Sequence, residues 1–411
     1  VRDGGLVTAL RKLGHEVTMV PLYLPLTFDR DEMVEDTPIF FGAISTYVKE
    51  KYPGLSNIPN WMTKILDSRP MLKFAAHRAD STRAAGLEEM TLSMLKGKAG
   101  NQAHELYHLV DWIKRELKPD VIYIANLLLL GLAESLKEVV NVPLICAMED
   151  EDVWLEDMES ESLKKIWGVI EENSTYVDAF VPVSEFYKNK IQSFLTIPEE
   201  KLRTVHVGID LDGYECAQEP LQDPCIGFLS RLSEPLGLGI LVDAFLILKK
   251  NPEFSSLKLK LTGGETTDDA AFLAGIKQKL LAAHVEGDVE FIEHFHRESR
   301  IRFLNSISVL SVPMIKQEAF GVFLLEALAA GVPIVQPESG AFPEIVKLTG
   351  GGVCYSPHTA LELATQLEAL LKDRERLSLL GRIGYEKVHA HFSSKAMAKR
   401  MVEVYEDVVK T

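Results

Sequence analysis

The residues best placed to do chemistry lie in one stretch, Lys316-Gln317-Glu318-Ala319-Phe320-Gly321-Val322-Phe323-Leu324-Leu325-Glu326-Ala327-Leu328-Ala329-Ala330-Gly331. Its apolar spacing predicts a compact helix over 320–330, and Gly331 stands where a left-handed C-terminal cap belongs. A glycine in the first turn would let a ligand approach the unsatisfied N–H groups there, and such an N-terminus favours phosphate. Glu318 precedes the helix and Glu326 lies inside it. One carboxylate at the mouth and one further along can hydrogen-bond hydroxyls at both ends of a nucleotide sugar. The bland alternative sets Glu318 against the helix dipole and leaves Glu326 in solvent. Two carboxylates alone do not choose between these readings.

The elements that must position these residues alternate along the chain. Strands are expected at 16–20, 119–124, 143–147 and 179–184, with helices at 6–13, 127–140, 162–173 and 185–194. A short strand at 205–207 runs into the turn-rich Gly208-Ile209-Asp210-Leu211-Asp212-Gly213. The alternation restarts at Cys225. Strands then fall at 225–229, 257–261, 289–292, 309–312 and 333–335, and helices at 238–249, 268–283, 298–304 and 320–330. This pattern predicts an α/β protein of two Rossmann-like, doubly wound domains facing across a cleft, where a ligand would bind. The expected divisions are 1–215, 216–390 and a last segment, 391–411. Residues 28–115 carry helical signals such as 62–66, 90–95 and 106–113, and read as a helical insertion in the first domain. No strand precedes the first helix, so the first strand of that domain is expected to be missing from this sequence.

Composition narrows the function classes. The chain has 411 residues, 46% hydrophobic and 25% charged, which are ordinary globular values. A net charge of −16 and the absence of a basic run argue against nucleic acid as a partner. No apolar run reaches the roughly 20 residues of a membrane span, although peripheral membrane contact stays open. Four scattered cysteines without a C-x-x-C pair argue against a zinc site and a disulfide framework, and point to a cytoplasmic protein with reduced thiols.

The Glu318…Glu326 segment resembles the E-x7-E motif of retaining GT-B glycosyltransferases, specifically glycosyltransferase family 4. Ile226-Gly227-Phe228-Leu229-Ser230-Arg231-Leu232-Ser233 resembles that family's first C-domain strand and its donor-phosphate loop. Gly340-Ala341-Phe342-Pro343-Glu344-Ile345-Val346 resembles its G-x-x-P-E-I-V segment. Val183-Ser184-Glu185 and Val207-Gly208-Ile209-Asp210 resemble the end of its first domain. Phe392-Ser393 resembles the approach to a C-terminal helix that crosses back. The resemblance covers roughly residues 6–26 and 119–411. It implies a GT-B fold and transfer of a hexosyl group from a UDP-, GDP- or ADP-linked donor, without a metal or other cofactor. The acceptor class stays open between carbohydrate, lipid-linked and small-molecule. Arg231 would bind the donor diphosphate. Glu318 would contact donor-sugar hydroxyls and Glu326 the ribose. The N–H groups of Phe320, Gly321 and Val322 would face sugar and phosphates, and the backbone at Gly264 would pass near the base.

Two positions depart from the family. Its Lys five residues after the Arg is Leu236 here, and its first-domain His is Glu149. Lys316 is a candidate replacement cation. These losses keep an alternative open: a catalytically impaired relative that binds nucleotide or glycan, or scaffolds a partner. A sugar-nucleotide epimerase of the same architecture is a third reading. Asp150-Glu151-Asp152 contains a D-x-D triplet that could hold a metal, and His294 and His296 could face one way on a strand. Cleft or solvent positions are the plainer readings for these side chains.

Overall fold

The computed structural model describes residues 2–22, 87–216 and 221–410. In the first part, α1 (Arg2–Lys12) is followed by α2 (Glu88–Leu95), α3 (Ala103–Trp112), β1 (Ile122–Ile124), α4 (Ala133–Val139), β2 (Leu144–Met148), α5 (Glu151–Leu155), α6 (Ser160–Ser174), β3 (Ala179–Pro182) and α7 (Glu185–Ile191). The second part holds β4 (Cys225–Leu229), α8 (Leu238–Lys249), β5 (Lys258–Thr262), α9 (Ala270–Ala282), β6 (Val289–Ile292), α10 (Arg297–Leu304), β7 (Val309–Leu310), α11 (Val322–Ala329), β8 (Ile334–Pro337), α12 (Phe342–Thr349), β9 (Gly352–Tyr355), α13 (Ala360–Lys372) and α14 (Arg374–His391). A last helix, α15 (Ser394–Lys410), ends the chain.

Every strand pair is parallel. The first sheet runs β1-β2-β3 and the second β6-β5-β4-β7-β8-β9. In the second sheet the order reverses between β4 and β7. Loops leaving the carboxyl ends of those two strands diverge there and leave a crevice, the usual ligand position in such sheets. The Arg231 loop follows β4, and the Glu318 loop follows β7. The predicted architecture holds: two parallel sheets, each covered by helices.

The first sheet is buried on both faces by side chains of period two. Leu144, Cys146, Met148 and Phe180 pack into the large core shared with the second part. Ile145, Ala179 and Val181 point the other way, against Leu6 and Leu10 of α1 and Met397, Met401 and Val404 of α15. The final helix therefore does cross back to the first part of the chain.

Several expected boundaries shift. Residues 16–20 form no strand. They have no described strand beside them, and the Val17 carbonyl takes the Arg11 guanidinium instead, 3.0 Å from Nε. Residues 205–207 form no strand either, although the Arg203 and Val205 N–H groups bond the Phe180 and Pro182 carbonyls alongside β3. The expected helix at 127–140 begins as a 3-10 turn, Leu127–Leu132, with the Asn126 side chain accepting from the Leu128 N–H. Of the helical insertion, α2 and α3 are seen, while 28–86 and the boundary residues 217–220 lie outside the described residues.

Met401 tests the crossing helix. Met401→Ala should cost about 2–5 kcal/mol of stability in urea denaturation, as a buried large-to-small change does. Val409→Ala, on the exposed end of the same helix, should stay within about 0.5 kcal/mol. Equal effects would contradict the packing of α15 on α1.

Candidate active site

The crevice at the end of β7 is formed by residues 316–321, and this loop is held from both parts of the chain. On one side the Ser184 hydroxyl, at the start of α7, donates to the Ala319 carbonyl at 2.6 Å in a buried setting. The same oxygen caps α7 by accepting from the Tyr187 N–H at 3.0 Å. Behind the loop, Gly340 has φ +60°, and a Cβ there would sit 2.6 Å from the Glu318 backbone nitrogen and oxygen. Only glycine allows that approach. The Ala341 N–H then bonds the Glu318 carbonyl at 2.9 Å.

Glu344 extends the same clamp. Its carboxylate accepts the Glu185 and Phe186 N–H groups at 3.0 and 2.9 Å, at the N-terminus of α7, and lies 2.7 Å from His206 Nε2. Burial opposes its charge. The bond from His206 and the two N–H groups outweigh that and hold the carboxyl below its ordinary value. The glutamate of the G-x-x-P-E-I-V segment thus joins the two parts of the chain.

Phe320 and Gly321 stand outside the helix that the sequence predicts for them. Gly321 is the N-cap of α11 with φ +88°, a left-handed conformation, so the helix starts only at Val322. The half-buried Glu318 carboxylate accepts the N–H groups of both residues, so these donors already carry an internal anion. Burial first, and the nearby charge of Asp150 second, push the Glu318 carboxyl above its usual range against the pull of those N–H bonds.

Glu326 is not solvated, as the bland alternative had it. Its Oε1 accepts from the Tyr214 hydroxyl at 3.0 Å and from Arg300 Nε at 3.1 Å. Arg231 is half-exposed, with Nε 3.7 Å from the buried Asp269 carboxylate. Gly263 and Gly264 turn the chain at the end of β5, and the half-exposed Phe295 ring lies against Gly264. His294 and His296 are exposed, their ring centres 6.2 Å apart. Leu236 is half-buried and packs on the core beside Gly237. Lys316 spans the cleft to Glu156 and Asp157 at 3.5 and 3.6 Å. Glu149 pairs with the buried Arg2 at 2.7 Å. In the D-x-D triplet, Asp152 is buried and 2.5 Å from Lys190. Glu151 is buried beneath it, taking the Leu127 and Glu149 N–H groups and the Tyr187 hydroxyl, and burial pushes it up to about 7. Among the described residues no group of three or more His, Cys, Asp or Glu side chains is placed to hold a metal ion.

The structure thus brings Arg231, Glu318, Phe320 and Gly321 to the ends of β4 and β7. It adds Ser184, His206, Tyr214 and Arg300, which the sequence reading did not select. Ser184 carried a signal, a serine directly before a helix. Arg300 carried none, because it sits in a charged helix that reads as solvated.

The fold and this crevice define a GT-B glycosyltransferase architecture. The solved structures it resembles include Anabaena HepE in complex with UDP, at TM-score 0.64, 15% identity, and coverage of 78% of this chain and 96% of that one. Sucrose-phosphate synthase from Thermosynechococcus elongatus matches at TM-score 0.62 and 20% identity, covering 75% and 79%. Residues 217–387 match the family model described as Glycosyl transferases group 1. An uncharacterized glycosyltransferase of Methanocaldococcus jannaschii is 24% identical over 70% of this chain and 75% of its own length. The lipopolysaccharide core biosynthesis mannosyltransferase LpsB of Rhizobium meliloti is 27% identical over 45% of this chain, which spans about half of that relative, 52%. No helix among the described residues is long and apolar enough to cross a membrane.

The Glu318 environment makes a stability prediction. A carboxyl whose folded value lies above its usual 4.5 binds its proton more tightly in the folded state. Stability is then lost as pH rises from 4.5 through the folded value, and stays lost at pH 7. Glu318→Gln keeps acceptors for the two N–H groups without the charge. It should melt higher than wild type at pH 7, and the two melting curves should converge as pH falls toward 4.5. A lower melting temperature at pH 7 would contradict a strained carboxylate.

Proposed function

We propose that the protein transfers a hexosyl group from a nucleoside-diphosphate sugar to an acceptor with retention at the anomeric carbon, as a family 4 enzyme. The observation that carries this reading is the crevice at the reversal of the second sheet, with Arg231 after one strand and Glu318 after the other. Arg231 has the charge and half-exposure to bind the donor diphosphate. Glu318 contacts donor-sugar hydroxyls, and Glu326 the ribose. Val322 presents backbone toward sugar and phosphates beside Phe320 and Gly321, whose N–H groups Glu318 already accepts, and Gly264 lies toward the base. Rate enhancement comes from positioning donor and acceptor and from stabilising the departing diphosphate, without a metal or other cofactor. Carbohydrate, lipid-linked and small-molecule acceptors all remain compatible with the cleft. A cytoplasmic location belongs to the same reading and is supported by four cysteines of which none is in a disulfide.

Lys316 is the replacement for the cation missing at Leu236. Its pairs with Glu156 and Asp157 are exposed on both sides. Such pairs contribute about 0–1 kcal/mol, so the ammonium leaves them for a phosphate at little cost.

A thermal-shift panel of UDP-, GDP- and ADP-sugars should give a raised melting temperature with at least one nucleotide. Transfer with that donor should persist in EDTA. A panel with no shift would contradict donor binding, and activity abolished by EDTA and restored by manganese or magnesium would contradict the metal-free reading.

Lys316→Ala should lower the transfer rate about tenfold or more, with a smaller effect on donor affinity. Adding Leu236→Lys to that variant should recover part of the rate. An unchanged rate in Lys316→Ala would remove Lys316 from the phosphate site.

A further inference from the structure

The Glu326 carboxylate is held by two contacts that no donor site strictly requires. Arg300 Nε and the Tyr214 hydroxyl both reach Oε1, at 3.1 and 3.0 Å. Among the described residues none hydrogen-bonds Oε2. The pair is well shielded, with side-chain exposures of 19% for Arg300 and 13% for Glu326. One oxygen is therefore fixed and the other remains an acceptor of set direction. The same guanidinium continues through Nη1 to the Phe295 carbonyl at 2.9 Å. Phe295 is the residue whose ring lies on the Gly264 turn at the end of β5. One arginine thus ties the Glu326 carboxylate to the loop after β6, using two nitrogens of its planar fork. Tyr214 is fixed in turn. The Arg297 guanidinium lies over its ring, 5.4 Å from the centre, and donates to the Asp210 and Asp212 carbonyls.

We propose that Arg300 is a positioning residue for ribose recognition: with Tyr214 it fixes one oxygen of Glu326 and aims the second at a donor ribose hydroxyl, while holding the base-side loop in register. This rests on the nucleotide-donor reading of the crevice. A carboxylate free to rotate would lose orientation. With Arg300 beside it, the charge is matched and the direction is set before the ligand arrives.

The test compares nucleotides with and without ribose hydroxyls. Affinities of UDP, GDP and ADP, and of their 2′,3′-dideoxy counterparts, are measured by calorimetry on the full chain. Wild type should prefer the ribonucleotide of its own base about tenfold or more over the dideoxy form. Arg300→Ala should bring that ratio close to one, chiefly by weakening the ribonucleotide. Arg300→Lys should recover only part of it, because a single nitrogen does not reproduce the planar fork whose Nε and Nη1 reach Glu326 and the Phe295 carbonyl separately. Tyr214→Phe, which removes a single hydroxyl and keeps the ring, should lower the ratio without unfolding the protein, and stands in if Arg300→Ala fails to fold. A purely structural Arg300 would weaken both nucleotides alike and leave the ratio unchanged, which overturns the proposal. Wild type that binds a nucleotide without preferring ribose also overturns it and leaves the donor reading intact. Wild type that binds none of the six nucleotides overturns both.

Discussion

The loop from Lys316 to Gly321 depends on contacts made from both parts of the chain. Ser184 holds the Ala319 carbonyl, Gly340 and Ala341 close on the Glu318 backbone, and Glu344 fixes the turn that carries Ser184. A buried hydrogen bond contributes only about 1 kcal/mol on balance, but leaving its buried partners unpaired costs more. The position of Glu318 is therefore set jointly by the first sheet's α7 and the second sheet's α12. A change in how the two parts of the chain meet reaches that carboxylate through the Ser184 hydroxyl and the Glu344 clamp.

Charge is the second constraint. Asp150 and Asp152 add their fields to the burial that already disfavours an ionised Glu318. A diphosphate entering this region brings further negative charge, and the protein answers with few cations. Arg231 stands half-exposed beside Asp269, and Lys316 is engaged across the cleft. Leu236, packed on the core, supplies none. Glu326 is treated differently, for its charge is matched in place by Arg300. One carboxylate is thus kept under strain at the sugar end of the crevice and the other is kept relaxed. Strain of that kind is common where a site gives up stability for function.

Much of this architecture was legible because it is local. The run Cys225–Leu229 and the helix Leu238–Lys249 stand between punctuating prolines and glycines, and the structure places both where the pattern does. Strand order, by contrast, follows from pairing between distant segments, and residues 16–20 show the limit: an alternating segment forms no strand without a described strand beside it. Phe320 and Gly321 read as helix because the run is apolar, yet tertiary packing against Ser184 and Gly340 decides their backbone. The two motif glutamates were legible from spacing, but their partners were not. Arg300 and Tyr214 meet Glu326 only through the tertiary fold, from positions 26 and 112 residues away along the chain.

The central claim is that the reversal between β4 and β7 is a nucleotide-sugar crevice. A crystal structure with a bound nucleoside diphosphate tests it most directly. The account predicts the diphosphate within hydrogen-bond distance of the Arg231 guanidinium and facing the Glu318–Val322 backbone. A diphosphate bound elsewhere, with Arg231 still against Asp269 and no ligand at the ends of β4 and β7, would contradict it.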